Sequence, residues 1–399
     1  MPATVRFCLA LSPQTLLPLV LSLQETSKGS KYYDVLIINT DYAKLVAQSL
    51  LEQMLMIAAL YDFAEVHDLS NLDVCEPRTR MSSLSWLFEF ISRHKADAAR
   101  IFRIKEDVLR RARASASGKR ELAVEFWCDE PIHYQTQLIR AAFPEALKVK
   151  HPHGVNLDDV GTEAYMQSFW SKREGLGKRL RRHVINLTSG LNLGAPNTFR
   201  FEKSVTLNRK TNLAPICIDA SSAISLEQFT VLYQRLPTDF RTSFEKHLEK
   251  LKAGREELFL LLPSGFASQS LIQVAERFAD ALIELRQHWQ GRALVLKTHP
   301  SQPSGPGKDF AERLSRLVGE EIGVLELSPS NIPLEMIVAS LSGCIGALGD
   351  PSHAVTTVRR ILGCPTFVLR RGLEEHLRIY SKEPNLASYD NILSGSELV

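Results

Sequence analysis

The sequence predicts an α/β fold with two doubly wound domains, and three observations support this prediction. Short apolar runs typical of strands alternate with helical periodicities, which favours parallel sheets with helical crossovers. The alternation comes in two series, and the stretch Asn186–Asp219 between them is rich in Gly, Asn and Thr, as in irregular structure. The 399 residues are also enough to bury two hydrophobic cores.

The first series begins with a βαβ pattern. The expected strands are Val5–Leu11, Tyr33–Asn39, Leu122–Trp127 and Ala146–Lys150. The expected helices run from the Ser12-Pro13 turn to about Glu25 and over Tyr42–Leu60, Leu84–Arg113 and Gln135–Phe143. The apolar run Phe7–Leu23 contains prolines and polar residues, so we interpret it as a strand and a helix rather than a signal peptide.

The second series follows two helical stretches, Leu226–Leu236 and Arg241–Ala253. Its expected strands are Leu258–Leu262, Ala293–Lys297, Gly323–Leu327, Cys344–Leu348 and Thr366–Leu369. Its expected helices are Gln269–Gln287, Asp309–Leu317 and Pro333–Leu341. We therefore predict an N-terminal domain over residues 1–215 and a C-terminal domain over residues 216–399.

The composition excludes several classes of protein. The 48 Lys and Arg residues against 45 Asp and Glu residues give a net charge of +3, which argues against a globally basic nucleic-acid binder. The 6 cysteines include no C-x-x-C pair, so neither a disulfide framework nor a zinc site is expected. No apolar window reaches the length of a membrane span. We expect a cytoplasmic protein.

Positive charge is nevertheless concentrated in two places, Arg110–Arg120 and Lys172–Arg182. A solvated helix face is the ordinary explanation for such runs. The functional alternatives are a track for a polyanionic glycan acceptor and a peripheral contact with an anionic inner-membrane surface. Nucleic-acid binding is not expected, because aromatic residues are scarce in these runs.

Four loops after strands of the second series could bind a phosphorylated ligand, because ligands of parallel α/β sheets bind beyond the carboxyl ends of the strands. Ser264 and Gly265 form a small turn that leads into a helix, with backbone N–H groups able to receive an anion. Lys297 and His299 end the next strand and could bind phosphate or neutralise a leaving group. Each loop has an ordinary structural explanation when it is taken alone.

The remaining two loops begin helices. Glu335 lies in the first turn after Pro333, where it could stabilise the helix dipole or hold a ribose diol. Ser352 and His353 follow Asp350 near a helix N-terminus, where their side chains and the backbone could bind phosphate together.

The order of these loops carries a resemblance. Lys297-x-His299-Pro300, then Ile332-Pro333-x-Glu335, then Gly349-x-x-Ser352, and finally Gly363-x-Pro365 resembles bacterial sialyltransferases, in particular the capsular polysialyltransferase and lipooligosaccharide sialyltransferase families. The turn Leu11-Ser12-Pro13-Gln14 is similar to the opening of the same families.

The resemblance implies a GT-B fold, in which two Rossmann-like αβα domains face each other across a cleft. It also implies an inverting transfer from CMP-sialic acid with no metal and no further cofactor. His299 would contact the donor phosphate, Glu335 the ribose and Ser352 the phosphate. Ser264 and Gly265 would line the nucleotide pocket. His353 stands where these families usually have a second hydroxyl residue, and it could also donate to phosphate.

The first domain departs from the sialyltransferase pattern. The acidic-acidic-Gly motif that supplies the general base of those families is missing after the strand Ala146–Lys150. His153-Gly154 stands there, and it resembles the His-Gly motif of CDP-glycerol polyol phosphotransferases. Either residue type can remove a proton from an acceptor hydroxyl. His153 is the first candidate, and the other candidates are Asp159, Asp158, Asp129 and Glu130.

The sequence therefore predicts an inverting glycosyltransferase that moves sialic acid, or a related nonulosonic acid, from a CMP donor to a bacterial surface glycan. A CDP-polyol phosphotransferase of the teichoic-acid type and a non-catalytic glycan-binding relative are the alternatives.

Overall fold

A computed structural model describes residues 4–28, 31–40, 47–70, 83–116, 121–129, 134–154, 167, 170–171, 175–190, 192–195, 198–207, 213–263, 271–298, 306–325, 332–341, 343–370 and 395–399. These residues form two compact units, each with its own parallel sheet. Unit 1 comprises the described residues within 1–47, 61–153 and 163–220. Unit 2 comprises those within 48–60, 154–162 and 221–399.

The sheet of unit 1 is entirely parallel and has the strand order β3-β2-β1-β4-β5-β6-β7. Its strands are β1 (Thr4–Ala10), β2 (Tyr32–Ile38), β3 (Glu65–Asp68), β4 (Ala123–Cys128), β5 (Leu147–Lys150), β6 (Lys203–Thr206) and β7 (Ile216–Asp219). The helices of the segment before β7 are α1 (Pro13–Thr26), α2 (Ala47–Ala58), α3 (Ser83–Ser115), α4 (Tyr134–Ala141) and α5 (Leu176–Ser189). The strand order reverses between β1 and β4, so right-handed crossovers run to opposite faces of the sheet.

The central strand β1 shows why this sequence builds a parallel sheet. Val5–Ala10 is buried throughout, which is typical of a strand covered on both faces. The chain then turns at Ser12, whose Oγ accepts a hydrogen bond from the Thr15 backbone N–H at 3.2 Å. Thr15 Oγ1 accepts from the Ser12 backbone N–H at 3.1 Å, and Pro13 occupies the first position of α1. This reciprocal capping fixes the start of the helix directly after the strand.

A buried ion pair joins β1 to β2. Arg6 is 1% exposed, and its Nη2 donates to Asp34 Oδ2 at 2.6 Å. The hydroxyl of Tyr61 also donates to this carboxylate, and Arg6 donates to Ser27. Since several hydrogen bonds satisfy both charged groups, the pair is tolerated in the interior.

The sheet of unit 2 is also entirely parallel and has the order β10-β9-β8-β11-β12-β13. Its strands are β8 (Leu258–Leu262), β9 (Ala293–Leu296), β10 (Ile322–Val324), β11 (Cys344–Gly349), β12 (Thr366–Val368) and β13 (Glu397–Leu398). The helices after β7 are α6 (Leu226–Arg235), α7 (Thr238–Lys252), α8 (Leu271–Glu284), α9 (Arg286–Trp289), α10 (Pro306–Val318), α11 (Leu334–Ile337) and α12 (His353–Thr357). Here the order reverses between β8 and β11.

Close backbone approach explains one glycine beside this reversal. A Cβ on Gly349 would lie 2.7 Å from the Leu262 carbonyl oxygen and 2.7 Å from Val355 Cγ2. The end of β11 can therefore pack this closely against β8 and α12 only because position 349 has no side chain.

The predicted fold class is confirmed: the protein is α/β, with two Rossmann-like domains that are each built on a parallel sheet. The expectation of irregular structure throughout Asn186–Asp219 was wrong, because this stretch contains the end of α5 as well as β6 and β7. The predicted boundary between residues 215 and 216 precedes β7. That strand belongs to the first sheet, and unit 1 extends to Ala220.

Within the described parts of the chain, no helix has an apolar stretch long enough to cross a membrane.

Candidate functional site

The strand orders identify the positions where ligands are expected. In open parallel sheets, a crevice forms beyond the carboxyl ends of the strands at the point where the order reverses. In unit 1 this point lies between β1 and β4, with β5 adjacent to β4. In unit 2 it lies between β8 and β11, with β9 adjacent to β8. The residues after these strands include most of the candidates from the sequence that the structure describes.

In unit 1, Asp129 follows β4 and His153 follows β5. The Nδ1 atom of His153 lies 2.7 Å from Asp129 Oδ2. The His153 side chain is 39% exposed, whereas that of Asp129 is 1% exposed. A carboxylate accepts hydrogen bonds only, so Nδ1 carries the proton and the lone pair of a neutral ring lies on Nε2. A buried acid thus orients a histidine that solvent or substrate can reach, as in a general base.

The neighbouring His151 has a structural role. It is fully buried, and its ring nitrogens lie 3.0 Å from the Pro152 carbonyl oxygen and 3.1 Å from that of Leu9. Its backbone N–H donates to the Cys128 carbonyl oxygen at 3.1 Å. Burial lowers the pKa of His151. His151 therefore links the end of β5 to β1 and β4, which fixes the loop that carries His153.

In unit 2, the buried residue Lys297 follows β9. Its Nζ donates to the Thr298 carbonyl oxygen at 2.8 Å. Burial lowers the pKa of Lys297 to about 8, although the nearby carboxylate of Glu335 counteracts this shift. The cation is thus held where an incoming anion would meet little competing water.

Glu335 lies at the start of α11 and receives a hydrogen bond from the buried Thr357 at the end of α12. The Thr357 hydroxyl donates to Glu335 Oε1 at 3.0 Å. Burial raises the pKa of Glu335, whereas its hydrogen bonds and Lys297 oppose this shift. The sequence placed Lys297 and Glu335 in separate loops, and the structure brings them near enough for each charge to shift the pKa of the other.

Two hydroxyl groups near the start of α12 are available to a ligand. Ser352 precedes this helix, and Thr356 lies four residues further along. The Ser352 Oγ and Thr356 Oγ1 atoms are buried, and neither has a hydrogen-bond partner among the described residues. A buried hydroxyl without a hydrogen bond is energetically unfavourable. A bound acceptor such as phosphate would give both groups a hydrogen-bond partner.

Several predicted site residues lie outside the described part of the chain. These are Asp158, Asp159, Glu130, Ser264, Gly265 and His299. His353 is the first residue of α12. The roles predicted for these residues stay predictions.

Sequence reasoning missed the roles of Asp129, Thr356 and Thr357. Asp129 was considered only as an alternative base, although its position directly after β4 was visible. The strand order, which sets β4 beside β5, was not visible in the sequence.

Part of the predicted basic track Arg110–Arg120 is engaged in ion pairs on the surface. Arg110 Nη2 lies 2.7 Å from Asp107 Oδ1, and Arg111 Nε donates to Glu65 Oε1 at 2.8 Å. Burial raises the pKa of Glu65, but hydrogen bonds from Arg111, Tyr33 and His67 outweigh it and lower the pKa to about 2. Arg111 therefore connects α3 to the edge strand β3.

Neither a protein-family model nor a curated protein matches this sequence. Solved structures match it at low identity. The UDP-GlcNAc 2-epimerase from Neisseria meningitidis bound to UDP-GlcNAc is 12% identical, with 99% of this chain and 94% of that chain covered and a TM-score of 0.45. A sialyltransferase from Photobacterium damsela is 12% identical, with 100% and 81% covered and a TM-score of 0.46. The ADP-heptose LPS heptosyltransferase II of E. coli is 9% identical, with 92% and 84% covered and a TM-score of 0.38.

At these identities and TM-scores, none of the three structures assigns an activity or a substrate to this chain.

Proposed function

We propose that the protein is an inverting glycosyltransferase that transfers sialic acid, or a related nonulosonic acid, from a CMP donor to a glycan acceptor of a bacterial surface polysaccharide. The observation that carries the proposal is the His153–Asp129 pair at the end of the first sheet. It supplies a general base where a parallel sheet binds its ligands. The donor type comes from the resemblance to bacterial sialyltransferases.

On the acceptor side, His153 Nε2 removes the proton from an acceptor hydroxyl. The hydroxyl oxygen bonds to the anomeric carbon of the donor sugar, and the bond from that carbon to the CMP phosphate oxygen breaks. The resulting imidazolium is stabilised by Asp129, whose carboxylate lies 2.7 Å from Nδ1. The acceptor attacks opposite to the leaving group, so the anomeric configuration inverts.

On the donor side, the leaving phosphate carries the negative charge that develops during transfer. The buried cation of Lys297 and the hydroxyls of Ser352 and Thr356 provide groups suited to it. Glu335 is proposed to accept hydrogen bonds from the ribose. His299, His353, Ser264 and Gly265 are proposed to complete the donor site.

The proposed reaction uses protein side chains for proton transfer and for charge stabilisation, and we propose that it needs neither a divalent metal nor a further cofactor. Activity that persists in excess EDTA would support this part of the proposal. Activity that needs Mg²⁺ or Mn²⁺ would contradict it.

A second candidate is a CDP-polyol phosphotransferase, which the His153-Gly154 sequence at the end of β5 favours. In that reaction His153 would again deprotonate an acceptor hydroxyl. The hydroxyl oxygen would then attack the β-phosphorus of the donor, and the bond from that phosphorus to the bridging oxygen would break. The polyol phosphate would be transferred, and CMP would leave.

The deciding experiment offers the purified protein either CMP-sialic acid or CDP-glycerol and follows CMP release together with donor loss. CMP release from CMP-sialic acid alone supports sialyl transfer, and release from CDP-glycerol alone supports the phosphotransferase. We expect His153→Ala to abolish release. His67→Gln is the matched control, because His67 lies in the edge strand β3 and bonds Glu65. Turnover of neither donor would support the non-catalytic alternative.

A further inference from the structure

Helix α5 presents an apolar stripe to solvent. Leu176, Leu180 and Leu187 are 84%, 67% and 86% exposed. At 3.6 residues per turn, these three positions lie within about 40° of one another around the helix axis. We call them the α5 leucine stripe. Isolated exposed leucines are common, but three aligned on one side of one helix make an apolar feature that needs an explanation.

The same helix is strongly basic. The segment Leu176–Ser189 contains Lys178, Arg179, Arg181 and Arg182 and no Asp or Glu, which gives a formal charge of +4. The Arg179 side chain is exposed. In the helical projection its position lies about 60° from the nearer edge of the stripe. An aligned apolar stripe with an exposed arginine beside it, on a basic helix of low overall hydrophobicity, is the pattern of a helix that lies in a membrane interface.

We infer that α5 binds the surface of an anionic phospholipid bilayer. The leucine stripe would enter the boundary between headgroups and acyl chains, while Arg179 contacts lipid phosphates and the other positive charges of the helix add to the attraction. The helix has 14 residues and is therefore about 21 Å long, enough for the stripe to lie along the interface. This inference does not depend on the reaction proposed above.

Charge and polarity favour a lipid surface over two other occupants. A polyanionic glycan would satisfy the basic residues but offers no apolar phase to receive three leucines. In a two-fold contact between two copies of the chain, the same patch of each copy meets its counterpart, which would bring the basic residues of both helices together. An anionic bilayer provides both an apolar phase and negative charge.

The test is co-sedimentation of the full chain with vesicles. One set contains phosphatidylcholine alone, and the other contains phosphatidylcholine with phosphatidylglycerol. We expect binding to the anionic vesicles only. We also expect it to weaken from about 0.1 M to about 1 M salt, over which the Debye length falls from ~10 Å to ~3 Å.

The decisive variant is the triple substitution Leu176→Ser, Leu180→Ser and Leu187→Ser. We expect it to reduce binding to anionic vesicles about tenfold or more, because the apolar contribution is lost while every charge remains. The matched control replaces three exposed apolar residues elsewhere, Leu226, Ile283 and Leu317, which are 46%, 59% and 43% exposed, with serine. This control should bind like the unmodified protein.

A second measurement reports insertion directly. The variant Leu187→Trp should show a blue-shifted tryptophan emission with anionic vesicles and quenching by brominated acyl chains. Far-UV circular dichroism and the thermal unfolding midpoint establish that each variant is folded.

Three results would overturn the inference. One is the absence of binding to anionic vesicles. Another is equal binding by the triple serine variant. The third is a dimer in sedimentation velocity that the triple substitution abolishes while vesicle binding persists. Because vesicle binding needs no donor or acceptor, its outcome is independent of the activity assays.

Discussion

Asp129 and His153 follow two neighbouring parallel strands, and the distance from Asp129 Oδ2 to His153 Nδ1 is 2.7 Å. The acid is buried and the imidazole is partly exposed. Asp129 can therefore hold the ring in place, while the His153 ring stays accessible to a substrate. This division of roles favours His153 over Asp129 as the proposed base. His153 is the proposed base and Asp129 the residue that positions it.

The first prediction concerns that positioning. Asp129→Asn keeps the shape of the side chain but allows the amide to donate to Nδ1, which favours the wrong tautomer of His153. We expect turnover of the donor to fall at least about 100-fold, with little change in donor affinity. Steady-state kinetics measure both parameters. The control Asp107→Asn loses only the surface pair with Arg110 and should retain full activity. Equal activity of both variants would exclude a role for Asp129 in the reaction.

The second prediction concerns the buried hydroxyl of Ser352. Since Oγ has no partner among the described residues, Ser352→Ala should leave the free energy of unfolding unchanged or slightly higher. We nevertheless expect CMP affinity, measured by calorimetry, to fall about tenfold from the loss of one hydrogen bond to phosphate. Ser340→Ala, which removes a hydroxyl bonded to the Ile337 carbonyl oxygen, provides the control. Unchanged CMP affinity in Ser352→Ala would remove this residue from the donor site.

The third prediction follows from the pKa of Lys297, which burial lowers from the ordinary 10.5 to about 8. Below about pH 8 the lysine is protonated in both the folded and the unfolded chain, and the folded protein bears the full cost of a buried cation. Between the two values the unfolded chain binds a proton that the folded chain does not. The free energy of unfolding should therefore rise with pH across this window, by up to about 3 kcal/mol from this group.

Urea denaturation at several values between about pH 7.5 and pH 10.5 measures this contribution. Lys297→Met lacks it, so any stability advantage of this variant over the unmodified protein should shrink as the pH rises. For Lys250→Met, at an exposed position of α7, the free energy of unfolding should instead change with pH as it does in the unmodified protein. If the free energy of unfolding of Lys297→Met had the same pH dependence as that of the unmodified protein, Lys297 would not be buried as described.

The fourth prediction concerns the ion pair between Arg6 and Asp34. Arg6→Met would leave the Asp34 carboxylate buried without its cation, and we expect a loss of about 3–5 kcal/mol in the free energy of unfolding. Replacing both residues, as Arg6→Met with Asp34→Leu, should recover part of this loss. Arg110→Met breaks an exposed pair instead and should cost less than about 1 kcal/mol. Similar losses for Arg6→Met and Arg110→Met would contradict the buried network.

The strongest sequence patterns predicted the fold correctly where strands are central and apolar. β8 is a continuous apolar run, and β1 is apolar from Val5 onward except at Arg6, because both faces of each strand are buried. β3, with the sequence Glu65-Val66-His67-Asp68, lies at the edge of its sheet and gives no such signal. β6 and β7 are four residues each and lie among polar turns, so their place in the sheet depends on pairing that local patterns do not encode.

The site was predictable in its residue types but not in its pairings. Lys297, Glu335 and Ser352 were recognisable because each follows a strand or begins a helix. The contact between Asp129 and His153 depends on β4 and β5 being neighbours in the sheet. The bond from Thr357 to Glu335 depends on the packing of two short helices. Such contacts join residues 22 or more positions apart, beyond the reach of any local periodicity.

Helix α2 belongs to unit 2, although the chain forms β2 of unit 1 just before it and β3 of unit 1 just after it. Leu60, the last residue of this segment, accepts a hydrogen bond from Arg235 of α6 at 3.1 Å. No single cut of the gene can therefore yield both units intact. A fragment starting at Ser221 would lack a helix of its own unit, so the residues proposed for the acceptor and for the donor are better tested by point substitutions than by truncation.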